Sequence, residues 1–276
     1  MATPKIGNEF ASLTWPAMDM GNVFAEFGVL MLTSVLIAAP GVFLASVLRG
    51  FTGFGFGLAA VPLLSLVLPP ARVVTLVVLL QVIVGASDLR QAWRLCDWRA
   101  IGGLLPGLAL GIPTGLAILI HLPANPVRLV IGVVIAASVI LLWRGAHLPR
   151  RPTLVLTMSV GAISGVISGL SSMGGPPVVV YLIAMGHDAA VVRATLSVYF
   201  MISGLLSGGL MVSRGMIDSE LLLWTAVSLP ALFLGSWAGT WGFHKASPRQ
   251  HRMTALWVLA LLAAGLILRA LNFTVS

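Results

Sequence analysis

Ten apolar stretches, most of them long enough to cross a lipid bilayer, dominate this chain of 276 residues. A transmembrane helix needs about 20 mostly apolar residues, so these stretches constrain the fold more than any single motif does. Hydrophobic residues make up 58% of the chain and charged residues only 9%. That balance leaves too few polar side chains to cover a soluble globule and too little charge for a disordered chain. The sequence therefore predicts an all-α, polytopic membrane protein whose main surroundings are the lipid bilayer.

Charged residues, prolines and glycines mark the ends of the ten predicted segments. These are 24–48, 51–69, 71–87, 100–120, 125–143, 153–170, 175–186, 189–212, 219–241 and 253–271. Segment two begins with a glycine-rich run and contains Pro62, and segment seven is short. Helix breakers at membrane depth are tolerated only where the backbone is buried in protein or lines a polar cavity. Segments two and seven are therefore predicted to be broken or short helices, and whether they cross the membrane completely is left open.

The two halves of the chain resemble each other. Gly50 precedes Gly169 by 119 residues, and Thr75 precedes Thr195 by 120. An offset of 124 relates three further pairs, Pro106 and Pro230, Gly111 and Gly235, and Gly115 and Gly239. The chain is accordingly divided into a polar N-terminal segment, 1–21, and two membrane repeats of five segments, 22–145 and 152–272. Five crossings per repeat predict inverted repeats, an architecture of many secondary transporters that places the substrate site near the bilayer midplane.

The distribution of basic residues predicts the orientation in the membrane. If all ten segments cross, Arg72, Asp218 and Glu220 fall on one side and eleven of the 16 Lys and Arg residues fall on the other. These are Arg49, Arg90, Arg94, Arg99, Arg144, Arg150, Arg151, Arg193, Lys245, Arg249 and Arg252. Cytoplasmic loops are enriched in Lys and Arg, so this side is predicted to be cytoplasmic and both termini to lie outside. The net charge of +8 is explained in this way without a nucleic-acid partner.

The two predicted helix breaks are the first candidate binding site. The candidate residues are Thr52, Gly53, Phe54, Gly55 and Gly57 at the first break, and Ser171, Ser172, Gly174, Gly175 and Pro176 at the second. The backbone N–H groups and the dipole at the start of a helix favour an anion. Glycine lets a ligand approach the backbone closely. The alternative is that these glycines only permit close helix crossing, as small residues often do in membranes.

Polar side chains that follow each break extend the candidate set. Thr75 and Thr195 occupy matching positions, while Gln81 and Tyr199 bring larger polar groups into apolar runs. Polar groups inside a span are costly unless they face the protein interior. For the threonines, an interhelical hydrogen bond is an equally simple explanation. Arg193 could draw an anion towards the site or extend to the membrane interface.

Regularly spaced glycines predict two helix-packing faces. Gly103, Gly107, Gly111 and Gly115 follow one another at intervals of four residues, and so do Gly161, Gly165 and Gly169. Residues four apart lie on one face of a helix, and small residues there let two helices approach closely. These glycines are interpreted as packing surfaces with no chemistry of their own.

No pattern in the sequence indicates an enzyme, a metal site or a cofactor. The five histidines lie in or beside predicted loops, without the spacing of metal ligands. The single cysteine, Cys96, cannot form a disulfide or a thiolate cluster within the chain. No nucleophile and base fall together within the predicted spans, which disfavours an intramembrane enzyme.

Both breaks resemble the sulfite exporter TauE/SafE family of bacterial membrane proteins. The similarity is carried by RGFTGFGFGLAAVPLL at 49–64, GVISG at 165–169, GGPPVVVY at 174–181 and RATL at 193–196. This chain differs from a plain Gly-Gly-Gly break because Phe54 and Phe56 stand between its glycines. The resemblance implies an inner-membrane transporter of small sulfur-containing anions such as sulfite, sulfoacetate and related organosulfonates.

Together, the residues and the resemblance predict a secondary transporter that exports a small anion by alternating access. One alternative is a transporter of another small organic anion, such as a carboxylate. A second is a non-transporting assembly or chaperone subunit whose glycine faces pack partner helices. The exact substrate, the direction of transport, the coupling ion and the oligomeric state, including a homo-oligomer, are left open.

Overall fold

A computed structural model describes residues 38–52, 55–144 and 152–243. These residues form nine α-helices and no β-strand. The helices are α1 (Ala39–Thr52), α2 (Phe56–Ser65), α3 (Pro70–Leu95), α4 (Trp98–His121), α5 (Ala124–Arg144), α6 (Leu154–Ser171), α7 (Gly175–Ala184), α8 (Ala189–Ser213) and α9 (Ser219–Phe243). The predicted all-α class is confirmed for this part of the chain.

Six of these helices are long and apolar enough to cross a membrane, namely α3, α4, α5, α6, α8 and α9. Their outward faces carry large apolar side chains, and Leu110, Val155 and Trp237 are each more than 70% exposed. Such exposed apolar surface is unfavourable in water and natural in contact with lipid. The helices are therefore those of a polytopic membrane protein. The prediction of ten segments stays a prediction, because part of 24–48 and all of 253–271 lie outside the described residues.

The helices α2 and α7 are the two short elements, with ten residues each. Gly55, which precedes α2, has a left-handed backbone conformation with φ 93°. The residue after α6, Ser172, is also left-handed with φ 57°, a conformation that costs a non-glycine residue about 1–2 kcal/mol. Pro176 and Pro177 then occupy the first turn of α7. A backbone N–H group there has no partner within the helix, so a proline, which lacks this group, costs no hydrogen bond. Chain reversals thus separate α6 from α7 and precede α2, as the glycine and proline pattern predicts.

Helix α3 is longer than the sequence predicts. It runs to Leu95, eight residues beyond the predicted end at 87, and includes Asp88, Arg90 and Arg94. These charged residues end the apolar run but are compatible with a helix that continues out of the membrane. Hydropathy marks where a span leaves the apolar layer, whereas the helix itself ends only at Cys96, which adopts an extended conformation.

Glycine-lined contacts join helices that are distant in sequence. On α4, Gly107, Gly111 and Gly115 lie so close to the backbone of α6 that a Cβ atom at any of them would overlap it. Gly165 and Gly169 of α6 meet the α4 backbone in the same way. The predicted packing faces are therefore confirmed. Helices α1 and α9 approach each other similarly through Gly50 and Gly235, and α3 packs along α8.

Charged side chains pair at opposite ends of the helices. Near the start of α3, Arg72 contacts Asp218 at 3.0 Å and Glu220 at 2.7 Å. Near its other end, Asp97 lies 2.9 Å from the ring of His187. Arg72, Asp218 and Glu220 are all residues that the sequence predicts on the side with few basic residues. The pairing agrees with that sorting, while the assignment of either end to the cytoplasm stays a prediction.

Candidate functional site

The two helix breaks meet in the interior of the protein. A Cβ atom at Gly57, in the first turn of α2, would overlap the carbonyl group of Ser172, which ends α6. Gly57 is itself buried. The glycine at this position is therefore required for the close approach of two segments that are more than 100 residues apart in the sequence.

Gln81 of α3 joins these two segments. Its Nε2 donates a hydrogen bond to the Ser172 carbonyl at 3.2 Å, and the Ser172 hydroxyl donates to Oε1 of Gln81 at 3.0 Å. Gln81 is the twelfth residue of α3, about 17 Å from its start at 1.5 Å per residue. Because α3 has 26 residues, this contact lies near the middle of the helix.

A cavity of about 30 Å³ opens beside this contact, enough for about two water molecules. The first turn of α2 and the first residue of α7 form part of its wall. The lining residues are Arg49, Gly55, Phe56, Gly57, Leu58, Gln81, Val84, Gly85, Ser172, Met173, Gly175, Ser197 and Phe200. Apolar atoms, including those of four glycines, form most of the wall, and a few polar groups converge on it. This combination is typical of a small-molecule site.

The polar part of the wall is suited to an anion. Arg49 supplies a guanidinium group, and Gln81, Ser172 and Ser197 supply neutral polar groups. The first turn of α2 adds backbone N–H groups, which its N-cap residue, Gly55, does not cap with a side chain. The start of α7 contributes fewer donors because Pro176 and Pro177 have no N–H group. The guanidinium, amide and backbone N–H groups thus come from α1, α2 and α3, and Ser172 and Ser197 add hydroxyl groups from the second half of the chain.

Arg49 lies at the edge of this cavity in an ion pair. Its guanidinium group contacts the carboxylate of Asp88 on α3, and the two side chains are 14% and 41% exposed. Arg193, near the start of α8, lies within electrostatic range of both groups. Two arginine side chains and one carboxylate therefore lie near one another at this edge of the cavity.

Five of the residues predicted from the sequence line the cavity. They are Gly55, Gly57, Gln81, Ser172 and Gly175. Arg193 does not line it but lies within electrostatic range of Arg49, which does. Gly53, Phe54 and the side chain of Thr52 lie outside the part of the chain that the structure describes.

The other predicted residues make structural contacts away from the cavity. Thr75 donates to the carbonyl of Ala71 and Ser171 to that of Ile167, both at 2.8 Å. The hydroxyl oxygen of Thr195 accepts the backbone N–H of Asp97 at 3.0 Å. Pro176 is buried within α7.

Tyr199 and Gly174 stabilise the shape of the second break. The fully buried Tyr199 donates its hydroxyl to Ser164 at 2.8 Å, and the Ser164 hydroxyl in turn donates to the carbonyl of Gly174. Gly174 packs against α6 so closely that a Cβ atom would overlap Ser164 and Ser168. This network connects α8 to the break and holds Ser172 and Gly175 in position beside the cavity.

Several lining residues were not among the predicted site residues. From the sequence, Arg49 is a marker of topology and the first residue of the motif at 49–64, but not a predicted site residue. Ser197 and Phe200 lie three residues apart on α8 and so share a face. Gly85 lies four residues after Gln81, and the same spacing rule could have linked the two. Phe56 is marked by its place between the glycines of the first break, whereas Leu58, Val84 and Met173 carry no sequence signal that separates them from ordinary core positions.

Comparison with known proteins gives one family and two curated relatives. The sequence profile of the family described as "Sulfite exporter TauE/SafE" matches residues 36–266. A protein of Cupriavidus necator, named "Probable sulfite/organosulfonate exporter TauE", is 23% identical over 230 residues, which is 80% of this chain and 89% of the relative. A Comamonas testosteroni protein named "Probable inner membrane transporter protein TsaS" is 28% identical over 200 residues, 70% of this chain and 81% of the relative. No solved structure gives a significant match.

Proposed function

This chain belongs to the sulfite exporter TauE/SafE family, and we propose that it is a secondary transporter that exports small sulfur-containing anions across the bacterial inner membrane. The proposed substrates are sulfite, sulfoacetate or a related organosulfonate. The names of the two curated relatives support this substrate class and this membrane. The proposal assigns transport and no enzymatic activity to the site.

The observation that carries the proposal is the cavity between the two breaks. Its wall combines the guanidinium group of Arg49, the amide of Gln81 and the hydroxyl of Ser172 with the start of α2. Such groups bind oxyanions by charge-assisted hydrogen bonds and by the helix dipole. Phe56 and Phe200 supply apolar contacts for the carbon chain of an organosulfonate.

The size of the cavity supports alternating access. A cavity of about 30 Å³ has room for about two water molecules. A sulfite ion or a sulfonate group has more non-hydrogen atoms than that and does not fit. In the proposed cycle, the segments around the two breaks separate to admit substrate, and the two hydrogen bonds between Gln81 of α3 and Ser172 at the end of α6 break. After the substrate is released, the same two hydrogen bonds form again and close the site.

The helix contacts support the proposed inverted repeats, 22–145 and 152–272. Gly169 of α6 packs on Ile112 and Leu116 of α4, and Gly50 of α1 packs on Ser236 and Thr240 of α9. Adding 119 to position 50 gives 169, and adding 124 to positions 112 and 116 gives 236 and 240. One contact is therefore converted into the other by exchanging the two halves.

The sorting of charges supports the proposed direction. Arg49, Asp88 and Arg193 all lie on the side that the distribution of basic residues predicts to be cytoplasmic. The two arginine side chains on that side attract anions and raise their local concentration. Moving one negative charge out of a cell that is negative inside gains roughly 2.3 kcal/mol per 100 mV. Export is therefore the energetically favourable direction.

Proteoliposomes containing the purified full chain test the proposal. We expect saturable flux of labelled sulfite or sulfoacetate, and we expect Gly175→Leu and Ser172→Ala to reduce it. Gly175→Leu would place a side chain against Phe200 at the cavity wall. The matched control is Gly102→Leu, because nothing lies within 4 Å of a Cβ atom at Gly102.

The outcomes distinguish the alternative functions. Flux of a carboxylate but not of a sulfonate would favour a transporter of another organic anion. An absence of saturable binding and flux for both classes would reject transport and favour an assembly or chaperone subunit. Unchanged flux in both cavity variants would reject the proposed site.

A further inference from the structure

The ion pair between Arg49 and Asp88 is unusual because its two members are buried to different extents. The side chain of Arg49 is 14% exposed and lines the cavity, whereas Asp88 is 41% exposed and is not among the lining residues. Burying a cation without a partner is strongly unfavourable. Arg49 therefore depends on a negative partner more than Asp88 depends on a positive one.

The surroundings of the pair allow Asp88 to be replaced. Arg193 lies within electrostatic range of both residues, so a second cation is near the carboxylate. A carboxylate that is 41% exposed can turn towards water, which solvates it after it leaves the guanidinium group. An anion in the cavity would then take its place beside Arg49.

We propose that Asp88 is an intramolecular substitute for the substrate, occupying Arg49 until the sulfonate or sulfite group displaces it. This inference rests on the proposed function and assigns Arg49 as the residue that anchors the anion. The planar guanidinium group suits this exchange because it binds a carboxylate and a tetrahedral oxyanion through the same fork of N–H groups. Asp88 is a competitor of the substrate and does not touch it.

Competition predicts opposite effects for the two residues. Asp88→Asn removes the competing charge at nearly constant volume, so the affinity for sulfoacetate should rise. Arg49→Gln removes the anchor, so the affinity should fall. We expect changes of about tenfold or more in each direction, the range of a hydrogen bond to a charged group. In the double variant, Asp88→Asn should have no further effect, because no cation is left for Asp88 to occupy.

Titration calorimetry of the purified full chain with sulfoacetate measures these dissociation constants. Asp218→Asn is the matched control, since it removes a carboxylate that pairs with Arg72 at the opposite end of α3. If Asp218→Asn strengthens binding as much as Asp88→Asn does, the effect is a general one of net charge and the inference is wrong. If Asp88→Asn weakens binding or leaves it unchanged, Asp88 positions Arg49 or only joins α1 to α3, and the inference is also wrong.

Two further measurements keep the test decisive. Where Arg49→Gln does not fold, Arg49→Lys retains a cation without the planar fork, and binding should weaken while Asp88→Asn still strengthens it. If the wild-type chain binds neither sulfoacetate nor sulfite, the proposed function fails and this inference fails with it. If the wild type binds and Arg49→Gln binds equally well, only the inference fails.

Discussion

Gln81 and Ser172 exchange two hydrogen bonds, with donor–acceptor distances of 3.2 and 3.0 Å, across 91 residues of sequence. Nε2 of Gln81 donates to the Ser172 carbonyl, and Oε1 of Gln81 accepts from the Ser172 hydroxyl. Both polar atoms of the Gln81 amide are therefore hydrogen-bonded. The carbonyl is available because Ser172 adopts a left-handed conformation at the end of α6. A local backbone feature thus positions the contact beside the cavity.

Replacing Ser172 by glycine or alanine separates the conformation of this residue from its hydroxyl. Both variants lose the hydrogen bond from the Ser172 hydroxyl to Oε1 of Gln81 and keep the backbone carbonyl as an acceptor, but glycine adopts φ near 57° without the penalty that alanine has. We expect Ser172→Gly to be more stable than Ser172→Ala by about 1 kcal/mol. Thermal unfolding in detergent measures the difference. Equal stabilities would mean that the backbone is not held in this conformation.

Substitutions of two glycines on α4 test the packing against α6. A Cβ atom at Gly111 would lie 2.7 Å from the backbone nitrogen of Val166. Because the neighbour is backbone and cannot move aside, Gly111→Ala should destabilise the protein by about 1–3 kcal/mol. Gly102→Ala should be neutral or stabilising by up to about 1 kcal/mol, since the added methyl group meets no neighbour and favours the helix. A comparable loss in both variants, measured by thermal unfolding, would contradict the packing argument.

Asp97 links the start of α4 to the second half of the chain. Its carboxylate accepts the backbone N–H groups of Arg99 and Ala100 at 2.9 and 3.0 Å and also lies beside His187. Asp97→Asn retains an acceptor oxygen for the helix cap, whereas Asp97→Ala removes it. We expect Asp97→Ala to be less stable than Asp97→Asn by about 1 kcal/mol. Denaturation of both variants checks this order, and the reverse order would show that the cap contributes little.

The single cysteine provides a test that depends on pH. Burial raises the pKa of the Cys96 thiol above its ordinary value; a hydrogen bond with Thr195 opposes this rise, and the charge of Asp97 adds to it. The thiolate is the reactive form, and a raised pKa leaves less of it near neutral pH. Labelling by a maleimide should therefore be slow at pH 7 and accelerate as the pH rises past the ordinary thiol pKa.

The control for this labelling is Asp97→Asn, which removes a nearby negative charge. The pKa of Cys96 should fall, and labelling at pH 8 should become faster than in the wild type. A labelling rate that does not change with pH in either protein would indicate that access to the thiol, and not its ionisation, limits the reaction.

Much of the architecture follows from local properties of the sequence. The apolar length of a segment determines whether it can lie in a bilayer, and glycine and proline determine where its helix must end. The breaks around Gly55 and Ser172 were predictable for this reason. The packing faces were predictable too, because a spacing of four residues fixes one side of a helix whatever the partner is. The profile match over 36–266 agrees with the family that the two break motifs suggest.

Only the tertiary structure decided which polar residues face the cavity. Ser197 lines it while Tyr199, two residues later, is bonded to Ser164, because successive helical residues are rotated by about 100° and these two point in nearly opposite directions. Both hydroxyl groups can be read from the sequence. The rotation of α8 about its own axis cannot, because the packing of α8 against its neighbours determines it. The pairing of Arg49 with Asp88 also joins residues 39 positions apart on different helices. Segment length and breaker residues act within a few turns of chain, whereas the chemistry of this site depends on contacts between helices that no local pattern specifies.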